Sequence, residues 1–299
     1  MLTIGIDGRF AVRQRRGIGN YSANLLRHLA RIDETNRYII YVDREDEENV
    51  LPRGGNFTVK KLFPKDYAFW EQIILPLQAA LDRVDLLHCI GNTAPRFLHP
   101  RIKLISTIHD AIFFRGEDLF PISTDPLQRR MRRYRQNNIR RSASRLSRVI
   151  TVSHHSKEAL LSYLPSLRPE MISVIPLAPK EEFCQFPHEA AAPSFPEGYV
   201  FAVGCREPRK NTMRIIEAFL ELKAEKAIPE SLVIAGVSDW RKSAFFKRVA
   251  VSPHANSVFF TDYLSESELR AHYRGAKIFL YPSLYEGFGF PPLEAMACG

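Results

Sequence analysis

At 299 residues the chain exceeds the usual size of a single domain, so two domains are the first expectation. With 45% hydrophobic and 25% charged residues it can bury sizeable cores, which excludes a disordered or fibrous chain. No apolar run approaches the roughly 18 residues that a membrane-spanning helix needs, and a net charge of +9 suggests an anionic partner or surface.

The predicted elements alternate from the start. Leu2–Ile6 reads as a strand and leads through Arg16-Gly17-Ile18-Gly19 into a helix with Ile18, Leu25, Leu26, Leu29 and Ile32 on one face. Further strands are predicted at Tyr38–Val42, Phe57–Lys61, Asp85–His88, Lys103–Ile108, Val149–Val152 and Ile172–Ile175. Helical patterns lie between them at Trp70–Leu81, Asp125–Leu146 and Ser156–Leu164. After a proline-rich, aperiodic stretch at Pro176–Pro196, strands at Tyr199–Val203, Leu232–Ala235, Val258–Phe260 and Ile278–Tyr281 alternate with helices at Asn211–Lys226, near Trp240–Ala250, and after Ser265. Ser265 with Glu268 forms a capping-box pattern. Strand and helix in alternation imply mainly parallel sheets covered on both faces.

The expected division is therefore residues 1–178, a linker at 179–196, and 197–299. Pro291-Pro292 opens a final helix that Leu293–Ala297 propagates, and the second domain is expected to be incomplete at Gly299. No basic region followed by an apolar stretch and cleavage site opens the chain, so no secretory leader is expected. The four cysteines (Cys89, Cys184, Cys205, Cys298) include no C-x-x-C pair and suit reduced thiols. A soluble, cytoplasmic protein is the expectation.

Nine arginines lie between Arg129 and Arg148, beside a seam of Met131, Tyr134, Ile139, Ala143 and Leu146 at near-helical spacing. A solvated helix face is the plain reading. An anionic membrane surface is the sharper one and would place the protein peripherally on the inner face of a membrane. Nucleic acid ranks lower and is not expected as a partner, because no recognised module or interleaved aromatics accompany the charge.

The strongest chemical signal is Pro282-Ser283-Leu284-Tyr285-Glu286-Gly287-Phe288-Gly289-Phe290-Pro291-Pro292-Leu293-Glu294-Ala295-Met296-Ala297. It reads as a strand, a glycine-bearing loop and a helix N-terminus, where a backbone approaches a ligand closely and anions are favoured. Glu286 is expected on the loop and Glu294 in the first helical turn; a capped helix start would account for Glu294 alone, but not for Glu286 between a strand end and two glycines. Upstream, Val203-Gly204-Cys205-Arg206-Glu207-Pro208-Arg209-Lys210-Asn211 places cations between a strand and a helix, which suits a pyrophosphate leaving group. In the first half, Ser106-Thr107-Ile108-His109-Asp110 ends a strand, and strand C-termini in open α/β sheets face the ligand.

These segments together resemble family-4 (group 1) glycosyltransferases, with the spacing of Glu286 and Glu294 matching their glutamate–seven residues–glutamate motif. The resemblance implies the GT-B fold, two Rossmann-like α/β domains facing across a cleft. It also implies that Glu286 meets the donor sugar, that the backbone at Phe288 and Gly289 meets its hydroxyls, and that Glu294 meets the ribose. Arg209 and Lys210 would bind the diphosphate. Arg206 is counted with them on the donor side, although it stands where many relatives carry an apolar residue. His109 would hydrogen-bond the transferred sugar and help shield charge, and Gly17-Ile18-Gly19-Asn20 resembles the acceptor-side loop. Thr151-Val152-Ser153 and Ser156 match the family without a role that their chemistry suggests. Ile175-Pro176-Leu177-Ala178 departs from it, where relatives place an asparagine and a glycine.

The implied activity is retaining hexosyl transfer from a nucleotide sugar to a hydroxyl on a glycan or lipid-linked glycan, for cell-surface polysaccharide. No two aspartates lie two apart, so no D-x-D pair is available for a metal. Cations and a helix dipole are expected to stabilise the leaving group, with no separate cofactor. The motif wording most resembles mannosyltransferase-like members, so GDP-mannose is the favoured donor and a UDP-hexose the next. A dinucleotide-dependent oxidoreductase is the rival, but Gly17-Ile18-Gly19 is followed by Ser22 where the fingerprint needs glycine. The remaining alternative is a catalytically inactive, truncated nucleotide-sugar-binding fragment.

Overall fold

A computed structural model describes residues 1–13, 17–122, 125–179, 181–184, 195 and 197–299. The chain divides into two compact units, Met1–Phe114 with Ile122–Leu177, and Arg115–Pro121 with Ala178–Gly299.

The first unit contains β1 (Thr3–Asp7), α1 (Gly17–Ile32), β2 (Arg37–Val42) and β3 (Phe57–Lys61). Then α2 (Tyr67–Phe69) runs through a π turn (Trp70–Ile74) into α3 (Leu75–Leu81). There follow β4 (Leu86–Cys89), β5 (Lys103–Thr107), α4 (Pro126–Ser142), β6 (Arg148–Thr151), α5 (His154–Tyr163) and β7 (Ile172–Val174). The seven strands form one parallel sheet in the order β3-β2-β1-β4-β5-β6-β7.

Strand β2 shows why such segments read as unbroken apolar runs. Tyr38, Ile40 and Val42 pack into one core with Ala23 and Leu26 of α1. Ile39 and Tyr41 point the other way, into a core with Trp70, Leu75 and Ala79. Side chains alternate across the sheet, and both faces are covered.

The second unit contains α6 (Glu181–Cys184), β8 (Tyr199–Val203), α7 (Thr212–Ala224), β9 (Ser231–Ala235), α8 (Ala244–Ala250), β10 (Val258–Phe260), α9 (Glu266–Gly275), β11 (Ile278–Leu280) and α10 (Phe290–Ala297). Its sheet is parallel in the order β10-β9-β8-β11. Val200 and Ala202 face a core with Ile215, Ile216 and Phe219 of α7. Tyr199 and Phe201 face a second core with Phe183 and Tyr273.

All eleven predicted strands are present, with ends shifted by no more than one residue. The arginine-rich helix starts at Pro126 because the Asp125 side chain accepts from Leu127 N at 2.8 Å and proline fills the first position. The Ser265–Glu268 capping box is formed on α9.

Three local expectations need correction. The aperiodic linker contains α6, while residues 180, 185–194 and 196 lie outside the described residues. Gly17 and Gly19 occupy the first turn of α1 rather than a loop before it, and Arg16 lies outside the described residues. Glu294 is not in the first turn of α10. The left-handed Gly289 (φ 101°) lets the helix begin at Phe290, which moves Glu294 to its fifth position.

Candidate active site

In the second unit the site is built at the C-terminal ends of β8 and β11. Strand β8 leads into Gly204, where a Cβ would stand 2.6 Å from Ile234 Cγ2, so only glycine fits beside β9. Cys205 is held by Thr212, whose hydroxyl lies 3.0 Å from both the Cys205 N–H and its carbonyl. Pro208–Lys210 then form a 3-10 turn that ends on Asn211 in the left-handed conformation (φ 57°). Asparagine tolerates that region better than other side chains. Four hydrogen bonds tie this turn to the loop after β11: Leu284 N and Ser283 Oγ donate to Arg209 O at 2.7 and 3.1 Å, Asn211 Nδ2 to Pro282 O at 3.2 Å, and Arg209 Nη1 to Tyr285 O at 3.2 Å.

The result is a convergence on one oxygen. Glu286 Oε1 receives Arg209 Nη1 at 2.8 Å, Lys210 Nζ at 2.7 Å, the Ser283 hydroxyl at 2.6 Å and the Tyr281 hydroxyl at 2.9 Å. Burial alone would raise the Glu286 carboxyl, but Lys210, Ser283 and Arg209 hold it below the usual glutamate range. Burial would lower the Arg209 guanidinium, and Glu286 and Glu207 outweigh it and raise it. Arg209 Nε also donates to Glu207 Oε2 at 2.7 Å. Two half-buried basic side chains and a carboxylate therefore share one small volume.

The structure brings Arg209, Lys210 and Glu286 together and sets Arg206 apart. Its guanidinium donates to the carbonyls of Ser238 (2.8 Å) and Asp239 (3.0 Å), so it fastens the connection after β9. Phe288 and Gly289 lie half-buried just before α10, and Glu294 Oε2 accepts the Tyr273 hydroxyl at 3.3 Å. Tyr281 and Ser283 were not singled out in the sequence. Their only signal was proximity to Glu286.

In the first unit, His109 follows β5 and is almost fully buried. Its N–H donates to Asn92 Oδ1 at 2.7 Å, its carbonyl accepts from Ser156 Oγ at 2.9 Å, and its Nε2 lies 3.1 Å from Ile90 O. A carbonyl can only accept, so Nε2 carries the proton and Nδ1 keeps a lone pair. Burial lowers its pKa to about 4, with the Ile90 contact opposing. With that shift the ring offers hydrogen bonding rather than positive charge near pH 7. Tyr21 of α1 packs edge-on against it at 4.7 Å. Thr151 and Ser156, matched in sequence without a role, have one here: Thr151 Oγ1 donates to Ile108 O at 2.7 Å, beside the Ser156 bond to His109.

A buried ionic cluster also went unread. Arg9, fully enclosed, grips Asp7 with Nε and Nη2 (2.9 and 2.7 Å) and reaches Glu71 Oε2 at 3.0 Å. Its guanidinium carbon stands 4.5 Å from the Tyr67 ring centroid and 4.0 Å from that of Trp70. Glu71 further accepts from Thr93 at 2.6 Å, from Tyr134 of α4 at 2.6 Å and from Asn138 at 3.3 Å. The helix with the arginines is thus anchored to the first unit through Glu71.

Comparison with known proteins places this geometry. Residues 15–178 match the glycosyltransferase family 4 profile, more than half of the chain, and residues 189–299 match the group 1 glycosyl transferases. The chain belongs to glycosyltransferase family 4. Among curated relatives of this family-4 chain, O-antigen chain mannosyltransferase B of Escherichia coli is 26% identical over 95% of this chain and 77% of that protein. O-antigen chain mannosyltransferase RfbU of Salmonella typhimurium is 32% identical over 53% of this chain and 42% of that protein. Solved structures share the fold. WaaG, a glycosyltransferase involved in lipopolysaccharide biosynthesis, superposes with TM-score 0.66 at 14% identity over 99% of this chain and 79% of that one. Anabaena HepE in complex with UDP-glucose gives 0.63 at 16% identity over 100% and 79%. The fold class is GT-B, with parallel α/β sheets in both units.

Proposed function

We propose that this family-4 glycosyltransferase moves a hexose, mannose in first place, from a nucleotide sugar to an acceptor hydroxyl, with retention of configuration. GDP-mannose is the favoured donor and a UDP-hexose the next. The observation that carries the reading is the cluster of Arg209, Lys210 and Glu286 on loops at strand C-termini. The names of the relatives, O-antigen mannosyltransferases among them, favour mannose and a glycan acceptor for cell-surface polysaccharide.

In this reading Arg209 and Lys210 meet the diphosphate, and their charge stabilises the leaving group as the glycosidic bond breaks. No metal is needed for that step. Glu286 faces the donor sugar, the backbone at Phe288 and Gly289 meets its hydroxyls, and Glu294 meets the ribose. Neutral His109 hydrogen-bonds the transferred sugar. Arg206 acts by holding the β9 connection, and Gly17 and Gly19 let α1 begin close to the acceptor.

Peripheral attachment at an anionic leaflet, with a lipid-linked acceptor, completes the proposal. Arg129, Arg130, Arg133, Arg140, Arg141, Arg145 and Arg148 are exposed, and none of them forms an ion pair among the described residues. No described helix is long and apolar enough to cross a membrane.

The test is a panel of nucleotide sugars assayed for binding, hydrolysis and transfer, with chelator and with manganese. Turnover of GDP-mannose that is unchanged by chelator, with the anomeric configuration retained in the product, is expected. Activity that chelator abolishes and manganese restores would refute the metal-independent mechanism. Absence of binding to every nucleotide sugar would refute the donor site.

A further inference from the structure

Tyr281 is the first residue beyond β11, and its ring stacks on Phe279 at 6.1 Å with an interplanar angle of 24°. The strand period puts both rings on one side, and Phe279 is held in turn against Tyr273 and Phe201. The phenol is therefore delivered to the site by a packed aromatic column. Its hydroxyl lies 2.5 Å from Lys210 Nζ and 2.9 Å from Glu286 Oε1, and the ammonium stands 4.8 Å from the ring centroid.

The hydrogen-bond roles follow from chemistry. An ammonium only donates and a carboxylate only accepts, so the hydroxyl accepts from Lys210 and donates to Glu286. Burial, and then the charge of Glu286, push the phenol above its ordinary pKa, so its proton stays in place. Lys210 has three N–H bonds: one goes to Tyr281 and one to Glu286, which leaves the third for a ligand. A lysine side chain is otherwise a point charge on a flexible four-carbon stem. Anchored only to Glu286, it could swing about that one contact.

We propose that Tyr281 is a positioning residue that fixes the direction of the Lys210 ammonium toward the diphosphate of the donor; this rests on the donor reading given above. Tyr281 touches neither the sugar nor the leaving group in this assignment. It acts through Lys210, and its effect is confined to ligands with a second phosphate.

The experiment measures dissociation constants of GDP, UDP and the corresponding monophosphates by calorimetry. It uses the full chain, Tyr281→Phe, Lys210→Ala and the double variant, with a melting curve for each. Tyr281→Phe keeps the ring and its stacking. It is expected to weaken diphosphate binding about tenfold, to change monophosphate binding less than twofold, and to have no further effect in the Lys210→Ala background. Three results would each overturn the assignment while leaving the donor site standing: unchanged diphosphate binding in Tyr281→Phe, equal losses for mono- and diphosphates, or a full additional loss in the double variant. A parent chain that binds neither GDP nor UDP would overturn the donor reading, and this assignment with it.

Discussion

Replacing Arg9 with methionine tests what holds the first unit together. Methionine keeps the unbranched apolar stem but neither the charge nor the guanidinium that meets Tyr67 and Trp70. Asp7, 1% exposed, keeps one hydrogen bond from the Arg9 backbone N–H at 3.2 Å and loses both guanidinium contacts. Glu71 loses one partner but keeps Thr93, Tyr134 and Asn138. Most of the cost therefore falls on Asp7. Removing one member of a buried ion pair costs about 3–5 kcal/mol. For a unit of this size that corresponds to a melting temperature lower by roughly 6–20 °C. The chain has two tryptophans, and Trp70 lies in the cluster. In a Trp240→Phe background its fluorescence reports the first unit, and calorimetry checks the whole chain. Pairing Arg9→Met with Asp7→Asn should recover part of the loss, because the stranded charge is then gone. A drop under about 3 °C for Arg9→Met alone would show that the buried ionic cluster is not what stabilises this unit.

Other predictions follow from the same geometry. His88 and His109 are both depressed from 6.5 to about 4, chiefly by burial, so the unfolded chain binds more protons between those values. The stability that each contributes is present above pH 6.5 and is lost as pH falls toward 4, at most about 3 kcal/mol each. Melting curves from pH 7 to 5 should show the first unit weakening, and His88→Gln should flatten that slope; an unchanged slope counts against a depressed His88. Lys210→Ala should lower turnover roughly a hundredfold, about 3 kcal/mol of barrier, and weaken nucleoside diphosphate binding. Glu286→Gln should lower turnover without weakening that binding, because it removes the counter-ion of both cations. Full activity in either variant removes that residue from the site. The exposed arginines should carry the protein down with anionic vesicles at low salt and release it at high salt, each contributing about 1 kcal/mol; equal, negligible binding to anionic and neutral vesicles would leave α4 a structural helix.

The sequence by itself determined the elements. A strand inside a parallel sheet covered on both faces is apolar almost throughout, so β2 and β8 stood out as runs bounded by polar residues or glycine, whereas the edge strand β3 carries Thr58, Lys60 and Lys61. Helix starts were legible where a side chain caps its own backbone, as at Ser265 with Glu268, because that bond spans only three residues. The motif around Glu286 and the cations at Arg209 and Lys210 were likewise local patterns. Tertiary structure decided what lies between distant segments. It bonded Glu286 to two cations more than seventy positions away, set the Tyr281 hydroxyl against both Lys210 and that carboxylate, and turned Arg206 aside to the Ser238 and Asp239 carbonyls. It also buried Arg9, whose neighbours in sequence give no sign of it. A charge can be enclosed only when partners arrive from elsewhere in the chain. Glu71, sixty-two positions on, is such a partner, and nothing near Arg9 announces it.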